Sequence, residues 1–125
     1  MEFTQSEKNA IAYVIEKMLY LGTGSIVEKA TAHSYLYKIG YDPLTDKKTQ
    51  GMIFEDAKKT IIPMSSEKKR LLFAILANIM VADRGEIHRE KHKWLTTISL
   101  CCKVPFIMSW DYIWEILESF DSNKI

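Results

Sequence analysis

Leu71-Leu72-Phe73-Ala74-Ile75-Leu76-Ala77-Asn78-Ile79-Met80-Val81-Ala82 is the stretch that decides the fold. Asn78 is its one polar residue, so a helix over it has almost no wet side. The run falls short of the ~20 residues that a membrane span needs. A helix of this kind is covered by other helices and sits at the centre of a bundle. Ser65-Ser66 opens it, about Ala82 closes it, and Ala74 and Ala77 leave room for neighbours to approach closely.

The flanking segments supply the covering helices. Thr4 with Glu7 makes a capping box ahead of a helix from about Gln5 to Tyr20. There Ile11, Val14, Ile15 and Met18 recur at the spacing of one buried stripe. Leu21-Gly22-Thr23-Gly24 breaks it. Ser25 with Glu28 makes a second box and opens a helix from about Ile26 to Ile39, with Ile26, Ala30, His33 and Tyr37 as its expected inner face. His33 reads there as a core histidine, and Gly40 is the stop. Asp42-Pro43 reads as a cap with proline in the first turn, starting a third helix that ends before Pro63 and that Gly51 can divide. Its apolar side is Ile53, Phe54, Ala57 and Ile61. Beyond the central helix, a fifth runs from about Ile87 to Cys102, with Ile87, Trp94, Leu95, Ile98 and Cys102 inward, before Pro105. A sixth runs from about Ser109 to Phe120 on a stripe of Ile113, Ile116, Leu117 and Phe120. No stretch alternates as a strand does, so the fold class is all-α, a compact bundle of about six helices.

An offset of 61 residues sets Ile11 on Leu72, Val14 on Ile75, Ile15 on Leu76 and Met18 on Ile79. The same offset sets Gly24 on Gly85 and Ile26 on Ile87, so both halves carry a Gly-x-Ile turn. The expected plan is one domain over residues 1–125, made of two pseudo-symmetric three-helix halves, 5–62 and 66–121.

Composition is consistent with this plan. At 125 residues and 47% hydrophobic content the chain is long enough to bury a core. A net charge of +1 gives no general attraction for nucleic acid or anionic membrane. Lys47-Lys48, Lys58-Lys59 and Lys68-Lys69-Arg70 read as solvated helix faces. Cys101 and Cys102 are adjacent and read as buried small hydrophobes in a reducing compartment; a vicinal dithiol for soft metals is the alternative. The opening MEFTQSEKNA has no basic stretch followed by an apolar one, so the expected location is cytoplasmic.

The turn after the central helix reads Ala82-Asp83-Arg84-Gly85-Glu86-Ile87, with Glu90 on the next helix. Together with the long apolar helix, this segment resembles the TerB-like domains of tellurite-resistance proteins, a domain type also found in some membrane-anchored DnaJ co-chaperones. The resemblance is clearest from Leu71 to about Phe106. It implies an all-α fold of two pseudo-symmetric halves, acidic residues that bind divalent metal, and work in multiprotein stress-response assemblies. The family's turn reads Ala-Asp-Gly-acidic/polar-Ile, and here Arg84 stands between Asp83 and Gly85.

Two roles compete for Asp83, Glu86 and Glu90. They can complement the N-terminus of the fifth helix, or supply oxygen ligands to a hard divalent cation. The spacing is not that of an EF-hand. His88 and His92 stand at i, i+4, yet the segment lacks the glutamate directly after the first histidine that a zincin needs, so they read as an exposed pair. No serine or cysteine has a recognisable base and orienting acid, and Gly22-Thr23-Gly24 is too short for a phosphate loop. The expected function is a non-enzymatic TerB-like binding module that needs no cofactor, a protein-interaction subunit of a stress-response assembly. Tyr35, Tyr41, Trp110 and Tyr112 are its expected partner anchors, with ordinary interhelical packing as their other reading. The alternative function is a divalent-metal-binding or metal-sensing protein using residues 83–90. A hydrolase built from dispersed acids is a third reading. Nucleic acid and direct membrane insertion are not expected.

Overall fold

A computed structural model describes residues 1–21, 25–82 and 89–122. Its helices are α1 (Gln5–Tyr20), α2 (Ile26–Ile39), α3 (Phe54–Ile61), α4 (Ser66–Val81), α5 (Arg89–Cys101) and α6 (Trp110–Ser122). No strand occurs among the described residues, and none of these helices is long and apolar enough to cross a membrane.

Local chemistry sets the helix ends. At α1 the Thr4 hydroxyl accepts from the Glu7 N–H at 3.1 Å while the Glu7 carboxylate accepts from the Thr4 N–H at 2.8 Å, closing the capping box. Ser65 caps α4 through the Lys68 N–H. Gly40 ends α2 at φ 94°, and the Tyr41 N–H returns to the Leu36 carbonyl at 2.9 Å. Lys103, at φ 56°, takes the corresponding left-handed position after α5, where the Val104 N–H reaches the Ser99 carbonyl at 3.1 Å.

Two expectations from the sequence are corrected. Residues 42–52 are turns, not the first part of the third helix. The Asp42 carboxylate accepts from the Leu44 N–H at 2.9 Å, two residues on, and so closes a turn instead of capping a helix. α3 starts at Phe54 instead, where the Asp56 carboxylate accepts from the Ile53 N–H at 3.1 Å, and Ile53 points outward. The inner face of α2 is not Ile26, Ala30, His33 and Tyr37. Ile26, Ala30 and Tyr37 are exposed and His33 is half-buried, while Glu28, Ala32, Tyr35, Leu36 and Ile39 are inside. The helix is rotated because a charged residue, Glu28, belongs to its buried face. The second capping box is therefore half made: Ser25 accepts from the Glu28 N–H at 3.2 Å, but the Glu28 side chain goes to the core.

α4 is the central element, with Leu71 through Ala77, Ile79 and Met80 all buried. It lies against α1, α2, α5 and α6. Asn78, the polar residue of the run, donates to the Tyr35 hydroxyl at 2.7 Å and is thereby satisfied. The packing scheme recurs along the chain: α2 and α3 lie on α1, as α5 and α6 lie on α4. α1 and α4 begin 61 residues apart and end 61 residues apart. Lys68 donates to Glu7 at 2.8 Å, and these two are also 61 apart. Burial alone raises the Glu7 pKa, but the bonds from Lys68 and the Thr4 backbone outweigh it and hold the carboxyl below its ordinary value.

Two measurements test this account. Leu76 has no exposed surface, so Leu76→Ala is expected to cost about 2–5 kcal/mol in urea unfolding, while the exposed Glu118→Ala stays within about 0.5 kcal/mol. Equal denaturation midpoints for the two would contradict the packing. Because the folded Glu7 pKa is depressed, its stabilisation is complete above the ordinary value of 4.5 and is lost as pH falls through the lower folded value. Urea midpoints of wild type and Glu7→Gln, separated at neutral pH, should therefore converge on acidification below that value.

Candidate functional site

The most unusual chemistry in the interior is an ion pair between Glu28, in the first turn of α2, and Lys91, in the first turn of α5. Neither side chain has any exposure to water, and Lys91 Nζ donates to Glu28 Oε1. Glu28 Oε2 has no partner among the described residues, and neither has the Ser99 hydroxyl on α5. The pair ties the starts of two helices that belong to different halves of the chain. Nearby, Trp94 Nε1 donates to the Val14 carbonyl at 3.0 Å, and the Trp94 ring meets Phe54 at 5.6 Å. α5 is thus fastened to α2, α1 and α3 through one face.

Of the residues expected to bind metal, Asp83 and Glu86 lie outside the described residues, as does His88. Glu90 is exposed: it reaches Lys93 at 3.7 Å, and both side chains stay in water. Lys91, its neighbour, is the inward residue. His92 is exposed. No group of three or more histidine, cysteine, aspartate or glutamate side chains converges among the described residues. Cys102 is fully buried and its thiol is pushed up to about 11 by burial; no disulfide joins it to Cys101.

Of the four aromatics expected as partner anchors, two are corrected. Tyr35 and Tyr41 are core residues, 6% and 1% exposed. Burial pushes both phenols up, and Tyr35 accepts the Asn78 hydrogen bond. Their hydroxyls find partners inside, so the rings are used in packing α2 and the following turn. Trp110 and Tyr112 are 40% and 41% exposed.

Trp110 belongs to an apolar groove of about 230 Å³ between α5 and α6. Phe73, Ala77 and Met80 of α4 form its floor. Leu95 and His92 form one wall, Trp110 and Ile113 the other, and Phe106 and Met108 of the α5–α6 connection close it. Phe106 stacks edge-on against Phe73 with ring centres 5.1 Å apart, which fixes that connection on α4. Met108 stands out at 82% exposure, and Trp114, one turn beyond Trp110, is also exposed. Phe106, Met108 and Trp114 were not among the residues singled out from the sequence. The signal was present as Pro105-Phe106-Ile107-Met108, an apolar run in a connection, and as tryptophans at i, i+4.

No family model matches the chain, and no curated protein matches it. Among solved structures, a protein of unknown function from Porphyromonas gingivalis W83 is similar to it, with a TM-score of 0.75 and 23% identity over 98% of each chain. That likeness concerns the fold: this chain is an all-α domain of about six helices.

Removing one member of the Glu28–Lys91 pair leaves the other charged and unpaired in the interior. Lys91→Ala or Glu28→Gln is expected to cost about 3–5 kcal/mol by chemical denaturation. The joint replacement Glu28→Leu with Lys91→Met is expected to recover most of that loss. Single variants that unfold at the wild-type midpoint would show that the pair is not closed to water.

Proposed function

We propose that this chain is a non-enzymatic protein-interaction domain, whose docking surface is the apolar groove between α5 and α6. The observation that carries the reading is the exposure of Met108, Trp110 and Phe106 around a single trough, with the exposed Trp114 one turn further along α6. Contiguous exposed apolar surface of this kind marks interaction sites, and aromatic and methionine side chains are enriched in interface cores. The trough is shallow and its lining holds one titratable group, His92, which suits burial of an apolar segment more than chemistry on a polar substrate. The resemblance of the Leu71–Phe106 segment to TerB-like domains supports placing this role in a multiprotein stress-response assembly.

Site-specific photo-crosslinking tests the reading. A benzophenone side chain at position 108, introduced in the source cells, should yield a covalent protein adduct, and the same group at the exposed position 47 should not. Adding Trp110→Ser should remove the adduct. Absence of any protein adduct from position 108 in the folded chain would sink the proposal.

A further inference from the structure

We draw no further inference here: the strongest candidate, the apolar groove between α5 and α6 over Phe73, Ala77 and Met80, belongs to the docking surface already described, and nothing in the structure shows what covers it.

Discussion

Helix α4 has no side to give to water, and the rest of the molecule is arranged around that constraint. Each large apolar side chain of α4 contributes about 1.5–3 kcal/mol only if it is fully covered, and one neighbouring helix can cover only one stripe. The chain supplies α1, α2, α5 and α6 around the same axis. Small residues make this feasible: Ala74 and Ala77 sit among the larger side chains and let neighbours come close. The polar exception, Asn78, is absorbed by Tyr35, which explains why a phenol is needed on the inner side of α2. Even at the groove between α5 and α6 the cover holds: Phe73, Ala77 and Met80 of α4, which form its floor, are buried.

The Glu28–Lys91 pair is a second fixed point of a different kind. A buried ion pair gains little net stability over apolar residues of the same volume, because both charges lose their water. What it does supply is selectivity of arrangement: any packing that separates α2 from α5 strands a charge. α5 has few other anchors on its first turn, and its outward ridge is free of core contacts. Fixing that first turn against α2 also fixes the wall of the groove, because His92 follows Lys91 directly.

Legibility in the sequence followed the physics of each element. The ends of α1, α2 and α4 were readable because Thr4, Ser25, Ser65 and Gly40 act locally, through hydrogen bonds to their own backbone. The core stripes of α1, α4 and α6 were readable because apolar periodicity and burial coincide there. The α2 face was not, because Glu28 is polar and its partner lies 63 residues away. Nothing local distinguishes a glutamate that caps a helix from one that enters the core. Asp42-Pro43 failed for a related reason, since the same residues that open a helix also close a turn. Tyr35 and Tyr41 were misjudged because a tyrosine beside a core stripe is interior or exposed according to whether its hydroxyl finds a partner. The groove was half visible through Trp110, and its remaining members only become neighbours when α5 and α6 are laid on α4.

The contact between Glu7 and Lys68 has an implication for how such a chain could come apart or come about. These residues occupy the same place in α1 and in α4, three positions after the capping residue, and they touch each other. A residue that meets its own counterpart across a pair of helices lies at the junction of the two. If the first half of the chain paired with another first half in this manner, glutamate would face glutamate; two second halves would bring lysine to lysine. Only the mixed pairing is neutral at this contact, so Glu7 and Lys68 favour α1 beside α4 over either helix beside its own kind.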